Sequence, residues 1–251
     1  MGLKPDLVAV YVIWLREVKK FWREKLRIIT SIAQPLMWLF IMGVGLGSSF
    51  RNLGFDYLRY VFPGIVSMTV LFASVNSGLG VVWDREFGFF KEILISPVSR
   101  TAIATGKILA GSTTAILQGI LILVSAPLIG LGLTPVLFVK GLLAMLLLAL
   151  SLSSAGVLFG VKISTFHSYS LVMNFVVMPM FLLSGAVFPL QGVPKWIEVA
   201  ARWNPVSYGV DVMRLAINGY GLFHPSLSIG VLLGMAVIMG AGAVYFLGKE
   251  G

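Results

Sequence analysis

Asp84-Arg85-Glu86-Phe87-Gly88-Phe89-Phe90-Lys91-Glu92-Ile93-Leu94-Ile95-Ser96-Pro97-Val98-Ser99-Arg100 is a charged island between two long apolar runs. It holds three of the ten carboxylates and three of the nineteen basic residues of the 251-residue chain. Its surroundings set the fold class. The chain is 58% hydrophobic and only 12% charged, with a mean hydropathy of +0.95. Soluble domains carry about twice that share of charge. So much apolar surface demands a bilayer, and the class is an all-α integral membrane protein.

Working outward from the island, six apolar segments are long enough to cross about 30 Å of hydrocarbon at 1.5 Å per residue. They lie near Ile28–Phe50, Tyr60–Trp83, Ala102–Leu131, Val136–Val161, Tyr169–Phe188 and Leu227–Leu247. An even number places both termini on one side. Lys and Arg are split thirteen to six between the two sides. The richer side holds the first 27 residues and the island, so both are expected in the cytoplasm. No flexible linker divides the chain, so residues 1–251 read as one domain.

Ahead of the first span, within residues 1–27, Asp6 to Lys25 have helical periodicity. Leu7, Tyr11, Trp14, Val18 and Phe21 or Trp22 mark one face, and Arg16, Lys20, Arg23 and Arg27 another. This pattern predicts a helix lying in the interface, aromatics down and basic heads toward anionic lipid. Before the last span, residues 189–225 mix Trp196, Trp203, Tyr208, Tyr220 and Phe223 with Lys195, Glu198, Arg202, Asp211 and Arg214. Asn204-Pro205 breaks that run. The expectation is two short external helices lying in or dipping into the outer interface.

Several chemistries are excluded. There are no cysteines, so no disulfide, thiolate metal site or Cys nucleophile exists. His167 and His224 lack acidic partners at ligand spacing. Gly106-Lys107 has Thr101 where a phosphate-binding loop needs glycine and Ile108 where it needs Ser or Thr. The net charge of +9 sits at span ends, where it orients a membrane protein; there is no basic domain for nucleic acid. No signal peptide is expected, because the charged first 27 residues lack an apolar core before a cleavage site.

The spans also lack Asp and Glu, whereas ion-driven carriers commonly keep an intramembrane carboxylate. Lys107 and Lys140, near span ends, are expected to snorkel. The strong polar groups left in the spans are the amides of Gln34, Asn76, Gln118 and Asn174. They either line a substrate path or hydrogen-bond between helices.

Within the island, Phe87, Phe90 and Leu94 recur at helical spacing, with Glu86, Lys91, Glu92 and Arg100 around them. An apolar centre with a charged rim suits docking into a partner's cleft. Gly88 permits close approach or ends a helical turn, and Pro97 stops the segment.

The run Glu86-x-Gly88-x-x-x-Glu92-x-Leu94-x-Ser96-Pro97-Val98-Ser99-Arg100 resembles the signature of ABC-2-type transporter permeases. A second stretch, Pro189-x-x-x-Val193-Pro194-x-Trp196 followed by Asn204-Pro205-Val206-Ser207-Tyr208-x-Val210-Asp211-x-x-Arg214, is similar to the region before the last span in the drug-resistance and nodulation-export branch. Phe89 and Phe90 depart from the small polar residue and Leu that many members carry.

The resemblance implies a half-transporter that pairs with a second copy and docks a separate ABC ATPase subunit. ATP and Mg would bind that subunit, with no cofactor on this chain. Residues 84–100 would form the coupling segment: Glu86, Phe87, Gly88, Phe90, Lys91, Glu92, Leu94, Ser96, Pro97 and Arg100 match it. Trp14, Arg16, Lys20 and Arg23 would belong to the interface helix. The expected place is the plasma or inner membrane of a prokaryotic cell, and the expected cargo, mostly exported, is a hydrophobic drug, a lipid or a lipid-linked glycan. Two alternatives carry different expectations. An ion-gradient-driven carrier predicts flux without ATP; a non-transporting scaffold predicts partner binding without flux.

Overall fold

Capping residues fix where five helices of this protein begin. The computed structural model describes residues 3–51, 56–88 and 98–249. Helix α1 is Leu3–Arg23 and α2 is Lys25–Arg51. Asp56 accepts a hydrogen bond from Arg59 N and opens α3, Tyr57–Asn76. After a turn at Ser77–Gly78 comes α4, Leu79–Glu86. Ser99 Oγ accepts from Ala102 N and opens α5, Arg100–Leu123. Thr134 Oγ1 accepts from Leu137 N, with Pro135 in the first turn, and opens α6, Pro135–Lys162. These are side-chain N-caps, each satisfying a backbone N–H that the helix cannot.

Thr165 caps α7, Phe166–Val172, which passes through a π-helical turn, Met173–Val177, into α8, Met178–Leu182. Lys195–Trp203 is α9. Asn204, with Pro205 behind it, caps α10, Pro205–Asn218, and Gly219 ends that helix in the left-handed conformation. The last helix, α11, is Pro225–Lys249. The described residues contain no strand.

Helix α3 is the axis of the bundle. Sixteen of its twenty residues are buried. It packs against α2, α5, α6 and α10, while α11 lies along α6 and α1 along α5. The α3–α6 contact is backbone against backbone. A Cβ on Gly156 would stand 2.6 Å from Val75 O, and one on Gly160 would stand 2.3 Å from Gly78 O. Helices approach this closely only through small residues.

Among the described residues, four segments are long and apolar enough to cross a membrane: Tyr57–Glu86, Arg100–Ile129, Pro135–Lys162 and Pro225–Lys249. A fifth is available if Pro5–Arg23 and Ile28–Gly43, bent by 71°, are taken as one broken span. The sequence predicts six, and the difference lies in two places. The segment expected over Tyr169–Phe188 is a shorter apolar helix, Phe166–Leu182, stopped by a turn in which Gly185 takes φ +77. The segment expected at Ile28–Phe50 lies in α2 and enters only as half of the bent pair. Two further expectations shift. The second span is continuous in sequence pattern but turns at Ser77–Gly78, and the third leaves the α-helix after Leu123 for a 3-10 turn at Ala126–Ile129.

The stretch before the last helix forms two short helices, as expected, over residues 195–203 and 205–218, but α10 is no surface helix. Asp211 and Arg214 are 2% and 1% exposed, because α10 packs between α3, α6 and α11.

Candidate functional site

Two features stand out: a ring of charges where α1, α4 and α5 meet, and a groove lined by neutral amides.

The ring centres on Asp84, 5% exposed near the end of α4. Its Oδ1 accepts from Arg16 at 2.6 Å and its Oδ2 from Lys107 Nζ at 2.5 Å. Lys107 Nζ also donates to Glu17 Oε1 at 2.7 Å. Lys107, 6% exposed, therefore does not snorkel: two carboxylates hold it inside the bundle. A charge so buried needs opposite charge and full hydrogen bonding. Arg16 likewise turns inward, although half its side chain remains exposed.

Two more bonds tie α1 to α5. Trp14 Nε1 donates to Thr113 Oγ1 at 3.0 Å, and Ser99 N donates to Asp6 Oδ1 at 3.0 Å. Trp14 thus faces the bundle, whereas Leu7, Tyr11 and Trp22 lie on its outside. Lys20 is exposed, 5.8 Å over the Trp83 ring, and Arg23 is exposed. Gly106 assists the packing, since a Cβ there would lie 3.0 Å from the Ile13 side chain.

The segment expected to couple, residues 84–100, leaves the bundle beside this ring. Glu86 and Phe87 are exposed, and Phe87 stacks on Trp83 with ring centres 5.0 Å apart. Gly88 takes φ +81, a left-handed stop to α4. Arg100 is half-buried in the first turn of α5. Phe90, Lys91, Glu92, Leu94, Ser96 and Pro97 lie outside the described residues. The two ends of the segment both reach α1: Asp84 through Arg16 and Ser99 through Asp6.

The groove has a volume of about 540 Å³ and is formed by α2, α3, α5 and the α7–α8 helix. Gln34, Asn76, Gln118 and Asn174 all line it. These amides come from four separate elements and do not bond to one another. Asn174 Nδ2 donates to Ser170 O in its own helix at 2.9 Å. Gln34, Asn76 and Gln118 have no hydrogen-bond partner among the described residues. Their side chains therefore form no interhelical hydrogen bond among the described residues and border the groove. The π turn at Met173–Val177 contains Asn174, and such turns are frequent at functional sites. A second cavity of about 520 Å³, between α1, α4 and α5, shares Asn76 and Leu79 with the groove.

On the other side of α10, the motif before the last helix pins the turn after α8. Asn204 Nδ2 donates to Met180 O at 2.6 Å, and Arg214 donates to Gly185 O at 2.7 Å. Tyr60 OH donates to the same carbonyl at 2.7 Å, and its ring lies 4.4 Å under the Arg214 guanidinium. Asp211 accepts from Leu222 N, Phe223 N and Ser228 Oγ, tying α10 to the start of α11. Asp84, Lys107, Asp211 and Arg214 were not picked out by pattern as structural centres. The usable signal is their being charged within apolar surroundings, where a partner is required.

Known proteins resemble this chain over most of its length. A family model described as ABC-2 type transporter matches residues 8–218. Among curated relatives, the ycf38 protein of Cyanophora paradoxa is 29% identical over 82% of this chain and 73% of its own length. The inner membrane transport permease YadH of Escherichia coli K12 is 28% identical over 90% of this chain and 89% of its own length. Nodulation protein J of Rhizobium meliloti is 29% identical over 84% of this chain and 81% of its own length.

Proposed function

The chain belongs to the ABC-2 type transporter family, and from that premise we propose that it is the membrane half of an ATP-driven exporter, working as a pair of copies with separate ATPase subunits. It is a multi-pass transport permease of that family. In the proposed arrangement it has six spans in a prokaryotic plasma or inner membrane, with both termini in the cytoplasm. ATP and Mg belong to the partner subunit. The cargo is a hydrophobic drug, a lipid or a lipid-linked glycan.

The observation that carries this reading is the groove, where Gln34, Asn76, Gln118 and Asn174 converge without satisfying one another. The side chains of Gln34, Asn76 and Gln118, unpaired among the described residues beside an apolar lining, suit a cargo that supplies the missing partners. Coupling is supported by the charge ring. The segment 84–100 is anchored at both ends to α1, so a displacement of that segment by an ATPase would reach α1 and α5 together. Glu86, Phe87, Gly88 and Arg100, with the residues between them, would form the docking face. Trp14, Arg16, Lys20 and Arg23 would carry the motion on.

The test is co-expression with candidate ATPase subunits from the same genome, capture through this chain, and assay of ATP hydrolysis in lipid nanodiscs. A stable complex whose hydrolysis responds to Glu86→Ala is the expected result. Flux driven by a proton or sodium gradient, with no ATPase captured, would replace this reading with a secondary carrier.

A further inference from the structure

The groove is polar without being charged. Among the described residues, no Asp, Glu, Lys, Arg or His lines it. Several of its hydroxyl protons are already committed: Ser31 donates to Ile28 O, Thr69 to Ile65 O, and Tyr169 to Val75 O. The uncommitted hydrogen-bonding groups are therefore mainly the carboxamides. Gln118 is the most telling of them. It is 5% exposed, lines the groove and has no hydrogen-bond partner among the described residues. A carboxamide offers two donors and an acceptor with two lone pairs. Buried polar groups of this kind are satisfied by protein, water or ligand.

The second cavity repeats the theme by a different route. Its charged lining is Glu17, Lys20, Glu24 and Lys107, two acids and two bases. Glu17 and Lys107 are paired with each other, and Lys107 with Asp84 as well. Asn76 is the polar side chain common to the two cavities. An ionised head group moved from one cavity into the other would leave balanced charges for a space with no counter-ion. Burial of an unpaired charge is strongly disfavoured, whereas a hydroxyl or amide meets ready partners.

We propose that the groove selects an amphiphile with an uncharged head rich in hydroxyl or amide groups, and that Gln118 is the side chain that reads this head. The apolar chain of such a ligand lies against Trp38, Phe72, Met68 and Met173. This selectivity rests on the transport reading above and adds to it the class of cargo.

The experiment is binding of radiolabelled dodecyl maltoside to the full-length protein in nanodiscs, with competition by three dodecyl amphiphiles. These carry a maltoside, a phosphate or a trimethylammonium head on the same chain. The maltoside is expected to compete at concentrations at least about tenfold below either ionic head, the discrimination given by one satisfied against one unsatisfied polar contact. Gln118→Leu should lose about tenfold in maltoside binding on the same ground, and Gln118→Glu should move the preference toward trimethylammonium. Equal competition by all three heads, or no specific binding of any, overturns the inference. The head-group series needs no variant, so it decides even if Gln118→Leu fails to fold. ATP-driven transport of an ionic amphiphile by the ATPase complex would sink the selectivity and leave the transport reading standing.

Discussion

Lys107 Nζ sits 2.5 Å from Asp84 Oδ2, and both side chains are more than nine-tenths removed from solvent. The pair joins α5 to the end of α4, two residues before Glu86. Replacing Asp84 by Asn would leave a buried ammonium with Glu17 as its remaining carboxylate. Losing one partner of a buried pair typically costs about 3–5 kcal/mol. Arg16 is half-exposed, so Arg16→Ala should cost no more than about 1 kcal/mol. Denaturant or thermal unfolding in detergent micelles should separate the two variants clearly. Similar losses in both would show that the ring is only a surface feature.

Glu86→Ala and Gly88→Val should leave membrane insertion intact but separate ATP hydrolysis from transport. Nothing stands within 4 Å of a Cβ at Gly88, yet its φ of +81 is strained for an L-residue by about 1–2 kcal/mol. The strain would change how the chain leaves α4 without disturbing the bundle. Parallel hydrolysis and flux measurements in proteoliposomes holding the ATPase complex check this. Normal transport in both variants would remove these residues from coupling.

Gly156→Ala should be severely destabilising. The added methyl would meet Val75 O at 2.6 Å and Ser74 O at 2.9 Å, and backbone cannot swing aside as a side chain can. Overpacking of this kind costs about 1–3 kcal/mol or more. Gly45→Ala, with nothing within 4 Å, is the matched control. A melting temperature unchanged in both would mean that α3 and α6 are farther apart than described.

Tyr60→Phe should cost about 1 kcal/mol through its bond to Gly185 O. Arg214→Met removes a second donor to that carbonyl and the cation above the ring. The two changes share partners, so they should be non-additive by about 0.5–3 kcal/mol in a double-mutant cycle. Strict additivity would mean that Tyr60 and Arg214 act independently on this turn.

Local chemistry made much of this architecture readable. Asn204-Pro205 announces a helix start, and the structure uses Asn204 as cap and Pro205 in the first turn. Asn76-Ser77-Gly78 contains a turn signal that the apolar pattern around it obscured, and α3 indeed stops there. The four amides were identifiable because polar groups are scarce in the spans, and all four meet in one groove. What sequence could not convey was partnership across distance. Lys107 finds Glu17 and Asp84, one ninety residues away, and no local pattern encodes such a meeting. Asp211 and Arg214 stand in a stretch of mixed aromatics and charges whose burial the pattern does not convey; packing of α10 against three helices buries them. The short π-containing helix escaped as well, since its apolar run continues past Leu182 into a turn.

The anchoring of α1 has a mechanical consequence. Asp6 bonds to Ser99 and Arg16 to Asp84, at opposite ends of the stretch between α4 and α5, and ten helical residues separate their attachment points by about 15 Å. A load applied between two such points does not merely push the helix. Unequal displacement of the two ends delivers a torque, which α1 passes to α5 through Thr113 and Lys107. If the segment couples as proposed, the pair would act as a crank, and the angle through which it turns, rather than the distance it travels, would decide how far the groove is reshaped.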